Sequence, residues 1–437
     1  MERYSEYKDS GVKWLGEIPS HWEVMSIKYT GIFENGLTYS PADTAKEGTL
    51  VLRSSNIQDF HLSFKDNVFV KKVSSKLLVR KGDIIICSRN GSASLVGKCA
   101  LVESDIEASF GAFMMRYRPV INPKYAYYLF QGSIGYYKGL FSTTTINQLT
   151  KSVLNDIKVA IPNLEEQVVV GSYLDAATSK IDKAIAMQQK MIDLLNERKQ
   201  IIIQNAVTKG LDENVEMKDS GVEWIGMIPK HWKIEPFGKH FTFGKGLPIT
   251  KANLQEEGVA VISYGQVHAK YNLGTTLTET LVRYVSPKYL ETHPQCLLNK
   301  NDFIFADTSE DVEGSGNFAF NDYKDKIFAG YHTVVARPKD LIYPKYYAYL
   351  FKSRAWKSQI QSLVNGVKVY SIGKRILKTS TLLIPSESEQ KEIVKVLDLK
   401  TAAIEKSIEN ISRQIALLQE RKQIIINEVV TGKVKVS

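Results

Sequence analysis

The segments closest to a catalytic signature lie at residues 91–99 and 389–391. A phosphate-binding loop needs two glycines separated by four residues, followed by a lysine and then serine or threonine. Here five residues separate Gly91 from Gly97, and Cys99 follows the lysine. The triplet at 389–391, Glu-Gln-Lys, lacks the strand and the second acid of a nuclease site. Neither segment therefore predicts chemistry.

Other residues that support catalysis are scattered. The three cysteines, Cys87, Cys99 and Cys296, fall at no metal-ligand spacing and cannot form a disulfide framework. The seven histidines form no metal or triad pattern. The sequence has neither an Asn-Pro-Pro-aromatic methyltransferase motif nor a glycine-rich dinucleotide fingerprint. We therefore expect no catalytic residue, no cofactor and no metal in this chain.

The composition is basic. Lysine and arginine number 57 against 47 aspartates and glutamates, a formal net charge of +10. This balance favours a polyanionic partner, because neutralising phosphates releases counterions. The cysteine usage, and the lack of an apolar N-terminal region or a membrane-spanning run, predict a cytoplasmic protein with no membrane partner. At 437 residues the chain is expected to form two or more domains.

The elements that position functional residues occur twice. Residues 8–22, KDSGVKWLGEIPSHW, return as residues 218–232, KDSGVEWIGMIPKHW. The two tryptophans of each copy are expected to fill pockets on a neighbouring element, so that these are docking segments. His21 and His231 are expected to be buried hydrogen-bonding residues.

A second repeat has the heptad pattern of a coiled coil. Apolar residues recur in steps of four and three, and residues 197–203 return unchanged as 420–426. The predicted seam consists of Leu174, Ile181, Ile185, Ile192, Leu195 and Ile202 in the first copy and of Leu397, Ile404, Ile408, Ile411, Ile415, Leu418 and Ile425 in the second. Helices this long need a partner, and we expect the two copies to pair with each other in antiparallel orientation.

Polar residues interrupt this seam. Lys199 and Lys422 could pack their stems and direct their ammonium groups to solvent, or they could specify register at a cost in stability. Gln188 stands where the second copy has Ile411. Both readings of the lysines, and the role of Gln188, stay open at this point.

The order of these repeats predicts the domains. They are an N-terminal docking segment at 1–22, a globular module at 23–160, a central helix at 161–210, a repeated docking segment at 211–232, a second module at 233–383 and a C-terminal helix at 384–437. The expected fold is α+β, a pseudo-twofold tandem duplication of mostly-β modules separated by an antiparallel coiled coil. The first docking segment should then sit on the second helix, with Met1 and Ser437 at the same end.

The docking repeat, the Ile-Pro-x-x-x-x-Glu-Gln entry to each helix and the repeated Glu-Arg-Lys-Gln-Ile-Ile-Ile give the chain a close resemblance to the DNA specificity (S) subunits of Type I restriction-modification systems. The resemblance covers essentially the whole chain. It implies that each module is a target recognition domain for one half of a bipartite site on double-stranded DNA. It also implies that the coiled coil spaces these domains and binds two methyltransferase subunits, which restriction subunits join.

By this resemblance, three segments of the first module are candidates for DNA contact. Arginine can bind guanine through two hydrogen bonds, asparagine can do so with adenine, and threonine can contact phosphate or a thymine methyl group. The candidates are Arg53, Ser54, Asn56 and Gln58, then Arg89 and Asn90, and then Thr143, Thr144 and Asn147. Asn90 with Gly91 is equally a turn signal.

The matching segments of the second module differ in chemistry. The candidates there are Tyr264, Gln266, His268, Lys270, Lys368 and Tyr370. The loop at 307–316 carries four acids, which would repel phosphate, although a carboxylate can accept from cytosine N4. We expect that loop to face solvent or to make local contacts only. The different loops predict an asymmetric target.

Two other function classes stay open at this stage. A self-contained methyltransferase or nuclease would need a cofactor domain of roughly 150 to 200 residues, for which the duplicated plan leaves no room. A coiled-coil scaffold that binds no DNA is disfavoured only by the basic composition and the polar loops.

Overall fold

The computed structural model describes residues 2–137, 148–339, 343–364 and 369–436. The chain divides into two compact units, Met1–Gln189 with Ser412–Ser437, and Lys190–Ile411. Each unit holds one β-rich module and a stretch of each of two long helices. Within the described ranges, no helix is long and apolar enough to cross a membrane.

The first unit contains fourteen strands. They are β1 Tyr7–Asp9, β2 Glu17–Pro19, β3 Glu23–Ser26, β4 Gly31–Asn35, β5 Thr44–Ala45, β6 Thr49–Leu52, β7 Ile57–Gln58, β8 His61–Leu62, β9 Phe69–Val70, β10 Ile84–Cys87, β11 Cys99–Leu101, β12 Ala108–Phe110, β13 Met114–Pro119 and β14 Lys158–Ile161 among the described residues. Its helices are α1 Pro123–Tyr137, α2 Lys151–Asn155 and the first part of α3 Leu164–Lys209.

The second unit repeats this plan. Its strands are β15 Met217–Asp219, β16 Met227–Pro229, β17 Lys233–Pro236, β18 Phe241–Lys245, β19 Val259–Ile262, β20 Arg283–Val285, β21 Phe303–Ala306, β22 Thr308–Ser309, β23 Phe318–Phe320, β24 Ile327–Ala329, β25 Thr333–Pro338, β26 Tyr370–Ser371 and β27 Thr381–Ile384. Its helices are α4 Phe237–His240, α5 Tyr264–Val267, α6 Tyr289–Thr292, α7 Pro344–Lys352, α8 Arg354–Gln361 and α9 Lys374–Thr379, followed by α10 Glu387–Val430, which ends in the first unit.

The two modules share one sheet topology. The first has an antiparallel sheet in the order β11-β10-β13-β4, and a second sheet in which β12 runs parallel to β6. The second has the corresponding orders β23-β21-β25-β18 and β20-β19-β24, with β24 parallel to β19. The duplication therefore holds at the level of strand pairing.

The central strand of each module lies between two hydrophobic cores. Ile84 and Ile86 of β10 join the core that includes α1, whereas Ile85 and Cys87 join the core formed with β6 and β12. In the second module the residues of β21 alternate in the same way. A strand buried on both faces is apolar throughout and rigid, so the loop that leaves its end starts from a fixed point.

The two long helices pair antiparallel, as the heptads predict. They contain 46 and 44 residues. In the first unit Nζ of Lys422 donates to both carboxylate oxygens of Asp182 at 2.7 Å, and Gln188 donates to Gln414 at 3.1 Å. Contact positions rise on α3 as they fall on α10, which is the antiparallel direction.

The seam lysines pack their stems, but their ammonium groups pair with carboxylates instead of reaching solvent alone. In the second unit Lys199 lies 3.6 Å from Glu405, at the position that matches Asp182. The Lys199 and Lys422 side chains are 12% and 15% exposed, so their stems are packed while their ammonium groups meet a carboxylate of the other helix. Ion pairs at such sites favour one register over its neighbours.

Each docking segment joins the start of one long helix to the end of the other. In the first unit Trp22 Nε1 donates to Glu166 at 3.1 Å, and a Cβ on Gly432 would lie 2.3 Å from Pro19. In the second unit Trp232 donates to Glu389 at 3.1 Å and packs on Gly210. The first docking segment thus sits on the second helix, as predicted.

The docking histidines are exposed, and the chain ends near the first docking segment pair with each other. His21 and His231 do bond to glutamates at 2.9 and 2.7 Å, but their side chains are 52% and 50% exposed, so the expectation that they are buried was wrong. Met1 and Ser437 lie outside the described residues. Their neighbours Glu2 and Lys435 form an antiparallel bridge within the first unit. The domain boundaries themselves stay predictions.

The Glu389 contacts predict a pH dependence of stability. Burial alone would raise its pKa, but hydrogen bonds from Ser386, His231 and Trp232 outweigh this and lower the pKa from 4.5 to about 2. The unfolded chain therefore takes up a proton first as the pH falls. The stabilisation is complete above pH 4.5 and is lost as the pH decreases towards 2.

We expect Glu389→Gln to lower the free energy of unfolding at pH 7 by about 1.5–3 kcal/mol, the range for hydrogen bonds to a charged group. The difference from the unchanged chain should shrink as the pH falls from 4.5 to 2. Urea unfolding across this range measures it, and Glu387→Gln, on an exposed acid in the same helical turn, is the matched control. A difference that does not vary with pH would contradict this assignment.

Candidate nucleic-acid interface

Two strands from different sheets end close together in the first module and bring several of its candidate residues to one site. Strand β6 ends at Leu52 and β10 ends at Cys87, and both strands contribute to one core. The segments that follow them line a cleft of about 1040 Å³. Loops that leave rigid strand ends are common sites of recognition.

This cleft holds four of the predicted residues, Arg53, Ser54, Arg89 and Asn90. The amide of Asn90 donates to Ser54 Oγ at 3.2 Å, and its oxygen accepts from the backbone of Ser92 at 3.0 Å. Asn90 therefore forms the turn that its sequence suggested and also ties the two loops together. The structure brings these loops into one surface.

The two arginines of the cleft differ in their partners. Arg53 forms an ion pair with Asp66 at 2.7 Å. Arg89 has no ion pair with any residue that the structure describes, and its guanidinium carbon lies 5.5 Å from the ring centre of Phe113. Among the described residues, the Arg53 guanidinium is thus paired with a carboxylate and that of Arg89 is not.

Asn56 and Gln266 occupy matching positions and have the same structural task. The Asn56 side chain is fully buried, accepts from the Arg53 backbone at 2.9 Å and donates to the carbonyl oxygens of Ser63 and Asp66 at 3.0 Å. Gln266 accepts from the Ser263 backbone at 3.1 Å. DNA contact by Asn56 stays a prediction that the structure does not support, because its buried amide is consumed in closing the loop. Gln266 closes its loop through the same bond.

The remaining candidates of the first module lie elsewhere. Gln58 is exposed on β7, where it donates to the Ser55 carbonyl at 3.0 Å, and it borders a separate depression beside Lys98. Thr143, Thr144 and Asn147 lie outside the described residues. Gln148, which follows them in the chain, forms an antiparallel backbone bridge with Arg89 of the first cleft.

The second module has a cleft of about 730 Å³ at the matching position, with different lining chemistry. Tyr264 and His268 border it. Both ring nitrogens of His268 are engaged, one 2.8 Å from the Thr308 carbonyl oxygen and the other 3.1 Å from the Asn317 amide. His268 therefore shapes the cleft, which Tyr264 also lines.

The acidic loop forms one wall of this second cleft. Glu310, Asp311 and Glu313 are exposed and line it. Asp311 accepts from the backbone of Gly314 at 2.6 Å, and the Glu313 carbonyl accepts from Gln361 at 3.2 Å. The expected solvent exposure is found, but the contacts are not only local, because Gln361 of α8 reaches the loop, and the loop also lines the cleft.

The other candidates of the second module surround the cleft. Lys270 is exposed and does not line it, and Tyr370 lies on β26, which pairs with β22 beside the cleft. Lys368 lies outside the described residues. The β22–β26 pair is the counterpart of the Arg89–Gln148 bridge in the first module.

Sequence reasoning missed one residue in each cleft. Phe113 and His332 immediately precede β13 and β25, and each side chain projects into its cleft. Phe113 is 59% exposed and the His332 side chain is 58% exposed. In both copies a glycine, Gly111 or Gly330, stands two residues before the ring. This repeated glycine could have indicated a turn that carries the ring.

Comparisons with known proteins agree with this arrangement. The family model for the Type I restriction modification DNA specificity domain matches residues 19–191 and again residues 229–413. The chain is 27% identical over 452 residues to a putative type I restriction enzyme MjaX specificity subunit of Methanocaldococcus jannaschii, covering 98% of both chains. It is 24% identical over 450 residues to the type I restriction enzyme EcoKI specificity subunit of Escherichia coli K12, covering 96% of this chain and 90% of that one.

The fold is also found among solved structures. A chain from work on complex assembly and conformational transition of the type I R-M system superposes with a TM-score of 0.66 at 14% identity, covering 95% of this chain and 99% of that one. At this identity the similarity concerns the fold. It agrees with two β-rich modules separated by long helices.

Proposed function

The chain belongs to the Type I restriction modification DNA specificity family, and from this premise we propose that each of its modules reads one half of an asymmetric, bipartite DNA site. As a specificity subunit it recognises DNA and is not itself an enzyme. The observation that carries the proposal is that one topology places a cleft at the same strand ends twice, with different side chains in each. Two modules with the same topology but different cleft side chains suit two half-sites of different sequence.

The charge and shape of the first cleft suit direct readout. Arg89 offers two donors in one plane, which match the O6 and N7 acceptors of guanine in the major groove. Arg53, Ser54 and Asn90 lie in the same cleft and can contact neighbouring bases or phosphates. In the second module we propose Tyr264, Lys270, Lys368 and Tyr370 as contacts. Gln266 and His268 then act by holding their loops in place.

The long helices are proposed to set the separation of the half-sites and to bind two methyltransferase subunits, which restriction subunits join. Each unit contains one module together with part of α3 and part of α10. Apolar side chains that are about half exposed or more lie outside the seam, namely Met187, Met191, Leu194, Ile201, Leu399, Leu417 and Ile424. On the helices these side chains remain available to a protein partner. A cytoplasmic location stays a prediction.

Exchange of residues 233–383 for the module of another specificity subunit tests this proposal. With the methyltransferase subunit of its own system supplied, we expect the methylated sequence in plasmid DNA to change in one half-site and to keep the other half. Sequencing of methylated adenines measures both halves. Samples without this chain are the control, and the same methylation with and without it would contradict a DNA-recognition role. Loss of both halves in a folded exchange chain would contradict independent modules.

A further inference from the structure

The turn that crosses from one sheet to the other carries an exposed ring in each module. This crossing turn comprises residues 111–113 between β12 and β13, and residues 330–332 between β24 and β25. Phe113 and His332 occupy its last position. The same position is thus filled by an apolar ring in one cleft and by a polar ring in the other.

The crossing turn is held in place by the strand end beside it. The Phe113 carbonyl oxygen accepts from the backbone nitrogens of Ser88 and Arg89 at 3.0 and 3.1 Å, and from Ser88 Oγ at 3.1 Å. The matching His332 carbonyl accepts from the Asp307 backbone at 3.1 Å. These bonds tie the backbone of the crossing turn to the segment that follows β10 in the first module and β21 in the second.

Close backbone packing holds the turn from behind. A Cβ on Gly36 would lie 2.1 Å from the Gly111 carbonyl oxygen, and one on Gly246 would lie 1.8 Å from that of Gly330. His332 moreover has φ of +55°, a backbone conformation that residues with a side chain rarely adopt. Such strain is kept where the surroundings determine the conformation, as they do here.

The two rings differ in what they can contact. Phe113 leaves most of an apolar ring in water beside the Arg89 guanidinium, although burying such a ring is favourable. In the major groove the apolar group on a base edge is the thymine 5-methyl group. His332 lies 3.3 Å from the Asp307 carboxylate and 5.4 Å, ring centre to ring centre, from Tyr264, and its imidazole can hydrogen-bond to a base.

We propose that residues 113 and 332 are equivalent specificity-determining positions, where Phe113 packs on a thymine 5-methyl group in the first half-site and His332 hydrogen-bonds to a base edge in the second. This inference rests on the proposed reading of one half-site by each module. It deepens that proposal by naming one position and the base group it contacts. Exchanging the ring at this position should alter one base preference while the rest of the site is kept.

The test selects the duplexes that the full chain binds, with its methyltransferase subunit present in every sample. Two random DNA libraries are used: one contains thymine, and the other contains uracil in place of every thymine. The unchanged chain should prefer thymine at one base pair of the first half-site, by about fourfold for one methyl group. Uracil should give no such preference. Phe113→Ala should lose the thymine preference, and Phe113→Leu, which keeps apolar surface, should retain it.

His332→Ala should alter one base preference in the second half-site and leave the first unchanged, with thermal unfolding of every variant checked. The inference is overturned if Phe113→Ala selects the same first half-site as the unchanged chain. It is equally overturned if the first half-site has no preferred thymine, or if that preference persists with uracil. Failure of the unchanged chain to select any sequence would instead overturn the proposed function.

Discussion

Replacing Arg89 by alanine is expected to lower the affinity for the target DNA by about 5- to 150-fold, the range that corresponds to 1–3 kcal/mol for a bidentate contact between arginine and guanine. Arg89 is chosen because it has no ion pair among the described residues and lies in the first cleft. Arg53→Ala should have a smaller effect, since Arg53 already pairs with Asp66. Binding to target and scrambled duplexes at several salt concentrations measures both.

Two further variants separate base recognition from net charge. Lys13→Ala removes the same charge from an exposed site in the docking segment, and it should change affinity little. Arg89→Lys keeps the charge but loses the planar pair of donors, so it should bind both duplexes with less discrimination. If Arg89→Ala and Lys13→Ala weaken binding equally, Arg89 contributes only charge.

Replacing Trp232 by alanine is expected to lower the free energy of unfolding by about 3–5 kcal/mol, the usual cost of truncating a buried aromatic side chain. Trp232 is 1% exposed, packs on Gly210 at the end of α3 and donates to Glu389 at the start of α10. Its loss therefore leaves a cavity and removes a bond to a charged group. Against a total of about 5–15 kcal/mol for a domain, this is a large fraction.

Urea unfolding followed by circular dichroism measures the change. Trp224→Ala, on a tryptophan of the same segment that is 45% exposed, is the matched control and should cost less than about 1 kcal/mol. Trp232→Phe should fall between the two, because it keeps most of the apolar packing and loses the hydrogen bond. Equal losses for Trp224→Ala and Trp232→Ala would show that the docking contact does not depend on the buried indole.

The internal repeats made much of the fold predictable. Heptad spacing in two copies identified the seam, and each seam residue is buried or half-buried in the structure. The same spacing could not decide what Lys199 and Lys422 do, because the partner of a seam lysine depends on the register of the other helix. Only the paired helices show that Glu405 and Asp182 face them.

The site was less predictable than the fold. Asn56 and Arg89 were both candidates for DNA contact, with the Arg89 loop preferred, since both are polar residues just after apolar strands. The tertiary structure distinguishes the two residues. The Asn56 amide is hydrogen-bonded to backbone groups, whereas Arg89 lines the cleft. Phe113 and His332 escaped notice because an isolated aromatic ring in a sequence is more often a core residue.

The sequence by itself determined the duplication, the antiparallel pairing and the family, because these depend on periodic patterns and repeated segments that survive without knowledge of any single contact. The tertiary structure decided which polar side chains are free and which ring faces each cleft. Those outcomes depend on the strand ends that meet and on the backbone groups that need a partner. Local sequence does not contain that information, since residues far apart in the chain, such as Arg53 and Arg89, share one surface only after folding.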